Sequence, residues 1–257
     1  KKSSSCHLWI LHFIFCCISN QAFTIIIMQL SHAQLGKALM ELIGTAILLL
    51  TIQVSVGLGT GMAPVAIGVV LITIVYAGGP ISGAHYNPAI SLAILLRGKM
   101  SLDQMTVYWI FQVAGGYLGA LLGGIIGGVF SNVGLGEDYS LLQAMLAEVV
   151  FTFLLSFVVL AVATNSTVDG NHYYGAAIGL VVAAGAITVG PISGGAFNPA
   201  VALGLCFAKG LNNLAYVLSV VVANLIGGAA AAGCFYAVAP DQFESLGATA
   251  GETTNLV

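Results

Sequence analysis

The stretch "SGAHYNPAISLAILLRGK" (residues 82–99) interrupts an apolar run with Gly, His, Asn and Pro, then resumes as a short apolar segment. "SGGAFNPAVALGLCFAKG" (residues 193–210) does the same, and the two share S-G-x-x-x-N-P-A in one register. Asn is a strong N-cap, and Pro is favoured at the first helical position. Asn87-Pro88 and Asn198-Pro199 are therefore each expected to start a helix of roughly eight to ten residues, about 12–15 Å long. One such helix falls short of the ~30 Å hydrocarbon core of a bilayer, whereas two placed end to end roughly match it.

The rest of the chain fixes the solvent. Of 257 residues 59% are hydrophobic and 6% charged, with a mean hydropathy of +1.03. A soluble domain carries about 25% charged residues. From Leu35 onward six apolar runs (36–57, 63–78, 106–130, 141–163, 174–190 and 213–238) are each about long enough to cross a bilayer as a helix. The runs do not alternate in polarity, which argues against a β-barrel. The expected class is an all-α membrane protein whose main partner is the lipid bilayer. A net charge of −3 without a basic patch gives nucleic acid no footing. Cys6, Cys16, Cys17, Cys206 and Cys234 show no metal-site spacing, so no metal or cofactor is expected. Residues 1–34 include "HLWILHFIFCCISNQAFTIIIMQL", for which three readings stay open: upstream sequence, a targeting segment or an extra helix. Residues 35–238 form the expected membrane domain, and 239–257 a C-terminal tail.

The membrane domain repeats itself. "MELIGTAILLL" (40–50) resembles "AEVVFTFLLSF" (147–157), pairing Glu41 with Glu148 and Thr45 with Thr152. Each half, about 36–130 and 141–238, reads helix with Glu, helix, broken loop with Asn-Pro-Ala, short helix, helix. An odd number of spans separates the two broken loops, so they enter from opposite sides and the repeats are inverted. Irregular backbone at membrane depth survives only where it is buried in protein or lines a cavity. Loops 79–86 and 190–197 therefore point to a pore. A capping Asn spends its oxygen on the helix and keeps its NH₂ as an outward donor. Two such donors and two positive helix ends would turn a water's oxygen toward themselves, interrupt a proton relay and repel cations. Glu41 and Glu148, carboxylates within spans, are expected to brace the backbone N–H groups of the loops.

Two Asn-Pro-Ala motifs in inverted halves, each led by a membrane Glu, resemble the aquaporin (major intrinsic protein) family over about residues 36–238. The resemblance implies six transmembrane helices plus two re-entrant half-helices. It implies a passive channel for water and small neutral solutes (ammonia, hydrogen peroxide, urea) that excludes protons and ions. It puts Asn87, Pro88, Ala89, Asn198, Pro199 and Ala200 in the pore, with the carbonyls of Gly83, Ala84, His85, Gly194, Gly195 and Ala196 along it. Gln112 resembles a loop anchor, with a plain helix–helix contact as the alternative. For His85, loop bracing, proton gating and packing stay open. The family also implies a homotetramer with a pore in each monomer, in a plasma or vacuolar membrane. The Gly-rich "GGYLGALLGGIIGG" (115–128) is a candidate for close packing between subunits.

The departures from the family pattern bear on selectivity. Where aquaporins usually carry Arg after the second motif this chain has Val201, and the other filter positions map by spacing to Ile67, Ala186 and Gly195. "GAFNPAVA" is similar to the plant tonoplast-type branch. Glycerol facilitators usually carry Arg-Asp where this chain has Val201-Ala202, which disfavours that branch; a glycerol-type facilitator and a poorly conducting junction member remain the alternatives. Ala223-Asn224 stands where the sixth helix usually has Gly-Pro. No acidic residue lies in the pore loops to couple transport to protons, and no nucleophile–base pair suggests an enzyme. Lys37, Arg97 and Lys99 fall on one face and Lys209 on the other, which predicts cytoplasmic termini. The sequon Asn165-Ser166-Thr167 then lies in a cytoplasmic loop and is expected to be unused.

Overall fold

The computed structural model describes residues 30–244. Its helices are α1 (His32–Gly57), α2 (Ala63–Ser82), α3 (Pro88–Leu96), α4 (Leu102–Gly127), α5 (Leu141–Ala163), α6 (Tyr174–Ser193), α7 (Pro199–Ala208), α8 (Leu214–Val238) and the short α9 (Asp241–Glu244). Six of them, α1, α2, α4, α5, α6 and α8, are long and apolar enough to cross a membrane. Helix α1 begins before the expected boundary because Ser31 and Gln34 form a capping box that satisfies the free N–H groups of its first turn. The open readings of the N-terminal segment fall on residues 1–29, outside those described.

The two half-helices start where expected. Asn87 and Asn198 are extended N-caps whose side-chain oxygens accept from Ala89 N and Ala200 N, each at 2.9 Å, with Pro at the first helical position. The broken loops are shorter than expected: α2 runs through Pro80 to Ser82 and α6 through Pro191 to Ser193, so the irregular backbone is 83–86 and 194–197. A proline this near a helix C-terminus forfeits a single backbone bond, which the ladder around it tolerates. Gly83 and Gly194 end the helices, in left-handed conformations at φ of 87° and 89°.

The packing repeats the sequence symmetry. Helix α1 lies along α4 as α5 lies along α8, and α2 crosses α6. That crossing is made at Gly68 and Gly179, where a side chain at either position would collide with the other helix. Each half-helix seats on a long helix of the other repeat, α7 on α4 and α3 on α8. Gly116 and Gly228 make this approach feasible: a Cβ at Gly116 would lie 2.7 Å from Ala200 O, and one at Gly228 2.5 Å from Ala89 O. Gly228→Val is therefore expected to drive α3 off its seat and lower thermal stability in detergent by at least ~1–3 kcal/mol. Gly233→Ala on the same helix, with nothing within 4 Å of its Cβ, is expected to leave the transition in place.

The Gly-rich run of α4 serves this interior. A Cβ at Gly115 or Gly119 would meet the backbone of α1 at Leu42 or Ala46, and Gly123 faces Gln53 and Leu50. These glycines pack against helices of the same chain, where the sequence reading offered them for contacts between subunits. What α4 shows outward is Leu118, Leu122, Ile125 and Ile126, matched by Leu142, Leu146 and Val150 on α5. Arg97 has a structural role that the sequence reading did not give it. It is only 1% exposed, at the C-cap of α3, with its guanidinium 4.3 Å from the Phe243 ring and 5.7 Å from the Phe235 ring. A cation there complements the negative helix end, and the aromatic faces stabilise it. The start of the tail is held down accordingly, with Gln242 Oε1 accepting from Ser166 N at 2.9 Å and Oγ at 3.0 Å.

Candidate functional site

Both half-helix N-termini open on one cavity of about 300 Å³ that runs between the helices. Its wall is built by two loops that follow one plan. Glu41 Oε1 accepts from Ser82 Oγ (2.6 Å) and His85 N (3.0 Å), and Oε2 from Tyr86 N (2.6 Å) and Gln112 Nε2 (2.8 Å). Glu148 Oε1 accepts from Ser193 Oγ (2.8 Å) and Ala196 N (2.9 Å), and Oε2 from Phe197 N (2.8 Å) and Asn224 Nδ2 (2.7 Å). Each carboxylate thus gathers four donors. A buried carboxylate is stable only when it is bonded in this way.

These bonds fix an otherwise unfavourable backbone. Tyr86 and Phe197 both hold φ at 49° and Ala84 at 51°, left-handed values that non-glycine residues seldom adopt. The turn aims each loop's last carbonyl across the molecular pseudo-two-fold. Asn87 Nδ2 donates to Phe197 O and Asn198 Nδ2 to Tyr86 O, both at 2.8 Å. The asparagine amides are therefore half-spent: one N–H of each ties the repeats together, and the other remains for the cavity. Tyrosine hydroxyls secure the loop starts, Tyr108 to Ser82 O and Tyr216 to Ser193 O, each at 2.7 Å.

Gly83, Ala84, His85, Gly194, Gly195 and Ala196 all line the cavity, and none of their carbonyls accepts a hydrogen bond within the described residues. Backbone acceptors in an interior need partners, and here the cavity is where partners can come from. Ile67, Ala186, Gly195 and Val201 line the same cavity, on the side of the far face, opposite the face where α1 begins. Their side chains bring no charge and no hydrogen-bonding group to the wall. The loop between α4 and α5 closes over this end: Ser131, Asn132 and Val133 line it, and Asn132 Nδ2 is fastened to Asn212 O at 2.6 Å.

Of the alternatives left open for Gln112 and His85, the geometry gives both a place in the loop network. Gln112 Nε2 also donates to Ser91 Oγ at 3.0 Å, and His85 Nδ1 lies 3.0 Å from the same hydroxyl. Sequence reasoning missed Asn224, which donates to Glu148 and, at 3.0 Å, to Thr152 Oγ1. The signal was present in the repeat, because Asn224 falls opposite Gln112 at nearly the offset that pairs the two motif asparagines. It also missed Tyr174, the first residue of α6, which lines the cavity near the face where α1 begins.

The family model described as "Major intrinsic protein" matches residues 29–236. The chain belongs to the major intrinsic protein family. It is 33% identical over 196 residues to Aquaporin NIP1-2 of Arabidopsis thaliana, covering 69% of this chain and 66% of that one. It is 35% identical over 145 residues to Nodulin-26 of Glycine max, covering 56% and 53%. The chain spans between about half and two thirds of the length of such curated relatives. The aquaglyceroporin of Plasmodium falciparum, known from an X-ray structure, shares the fold at a TM-score of 0.70 and 22% identity, over 81% of this chain and 98% of that one. As a major intrinsic protein with six helices among the described residues long and apolar enough to cross a membrane, the chain is an integral membrane protein. The names of these relatives add nothing to the tonoplast-type likeness, which rests on "GAFNPAVA" alone.

Proposed function

We propose that this protein is a passive channel for water and small neutral solutes (ammonia, hydrogen peroxide and urea) that excludes protons and ions. The observation that carries the reading is the meeting of two Asn-capped helix N-termini at one cavity, each amide keeping one N–H free of the chain. Six unpaired carbonyls on the wall offer a file of acceptors. A solute following them trades its water for backbone oxygen, while the paired donors and positive helix ends fix its orientation at the middle. The names of the relatives, aquaporins among them, support the same reading.

Purified protein in proteoliposomes is expected to swell faster than protein-free vesicles in water, urea and ammonia gradients. Equal rates would refute the channel. Asn198→Asp is expected to admit sodium or protons, since a carboxylate reverses the local field while still capping α7. Unchanged conductance in that variant and in Asn87→Asp would remove the asparagines from ion exclusion.

Ile67, Ala186, Gly195 and Val201 act in this reading as the selectivity filter. The termini lie in the cytoplasm, an orientation supported by Lys37 and Lys99 on the face where α1 begins. Assembly as a homotetramer in a plasma or vacuolar membrane follows from the family. Its subunit contacts would use the outward Leu, Ile and Val faces of the long helices, since the glycine stripe of α4 is occupied.

A further inference from the structure

We infer that Tyr174 forms a second, inner constriction that discriminates among neutral solutes by both width and hydrogen bonding, an inference that rests on the channel reading. The inner part of the cavity, toward the face where α1 begins, is walled by Val75, Ile90, Ile94, Leu155, Val159 and Ile178. Thr164 lies there too, but its hydroxyl is spent on Leu160 O at 2.7 Å. Tyr174 is also on this wall, and its hydroxyl makes no hydrogen bond among the described residues and is not sealed off from the cavity. It is thus the one free side-chain hydroxyl on the inner wall.

The ring is held in place from two sides. It stands edge-on to Tyr76, with centroids 5.1 Å apart and planes at 71°. It also lies against bare backbone at Gly79, where a Cβ would come within 3.0 Å of the hydroxyl oxygen and 3.3 Å of Cε2. Tyr76 fixes the helix end as well as the ring. Its hydroxyl donates to His172 O at 2.8 Å and accepts from Ala176 N at 3.2 Å, capping a helix start that has no side-chain cap of its own. The aromatic therefore projects from an anchored first turn into a notch that glycine leaves open.

The composition of the outer ring makes this position count. With Ala186, Gly195 and Val201 beside Ile67 there, neither an aromatic ring nor a charge narrows the outer end. Tyr174 is the largest side chain left to the inner wall, because the Tyr86 ring is fully buried against Gly44 and Gly78 with its hydroxyl on Ile74 O. A solute leaving the carbonyl file meets apolar side chains on every side, and the phenol can replace one of the hydrogen bonds it gives up. Width and bonding then act in opposite directions on the same solute, and two substitutions separate them.

The experiment is stopped-flow flux of water, urea and glycerol through proteoliposomes of wild type, Tyr174→Phe, Tyr174→Ala, Gly79→Val and the double variant Gly79→Val/Tyr174→Ala. Tyr174→Ala is expected to raise urea and glycerol flux about threefold or more, with a smaller change in water. Tyr174→Phe keeps the width and is expected to lower the urea-to-water ratio about twofold. Gly79→Val fills the notch and is expected to slow every solute, and removing the ring in the double variant to restore flux. A residue that merely stabilised the fold would lower all fluxes in both Tyr174 variants. A conducting wild type matched by Tyr174→Ala in urea, glycerol and water would overturn the inner constriction and leave the channel reading standing. A wild type no faster than empty vesicles would overturn both.

Discussion

Glu148→Ala is expected to abolish flux and the folded, monodisperse protein together, and Glu41→Ala to do the same. Either change strands four buried donors, two of them backbone N–H groups in left-handed or adjoining loop residues. An unsatisfied buried group costs about 1–3 kcal/mol, so four together reach the ~5–15 kcal/mol by which domains are stable at all. Glutamine at these positions is not a conservative rescue. Its amide would aim N–H groups at donors already in place, so Glu41→Gln and Glu148→Gln are expected to recover little. Removing one donor is far milder: Gln112→Leu and Asn224→Leu each withdraw a single carboxylate contact and should lower thermal stability without erasing it. Size-exclusion profiles and thermal unfolding in detergent check the series. A well-folded, conducting Glu148→Ala would show that the loops hold their shape without the carboxylate.

The braces were legible because they violate the composition around them. A Glu inside an apolar span, an Asn-Pro-Ala between two hydrophobic runs and a Gln in mid-helix are each expensive in lipid, so each marks a place where the chain needs it. The repeat then gave their mutual arrangement. What escaped the reading lacks that contrast. Tyr174 follows Tyr173 at the start of a helix, and nothing in the residue type says which ring faces the cavity. The glycines of 115–128 signal close approach, but glycine does not name its partner, and here the partners are α1 and α7 of the same chain. The loops read as starting at 79 and 190, beside Pro80 and Pro191, whereas Gly83 and Gly194 end the helices, because a proline in the last turn loses only one bond and a left-handed cap needs glycine. Arg97 reads only as a topology marker. Its burial against Phe243 depends on a tail segment more than a hundred residues away in sequence.

Val201→Arg is expected to suppress urea and ammonia flux about tenfold while leaving most of the water flux. Val201 lies in the first turn of α7, 4% exposed, on the wall shared with Ile67, Ala186 and Gly195. Its position in the helix points the longer side chain at the same ring, on the side closed over by Ser131 and Asn132. An arginine there narrows the opening and adds five donors around a fixed positive charge. Water, with the smallest cross-section, still passes and gains a partner for its oxygen. Urea must fit its full width past the guanidinium, and a tenfold loss corresponds to only ~1.4 kcal/mol of added barrier. Val201→Leu separates bulk from charge: it narrows the ring without donors and should slow urea less than arginine does. The measurement is the ratio of urea to water permeability across the three proteins in one vesicle preparation. If wild type passes water alone, the wide apolar ring does not set the solute range. If Val201→Arg leaves urea flux untouched, the narrowest passage lies elsewhere along the cavity, and the inner end at Tyr174 is the next place to probe.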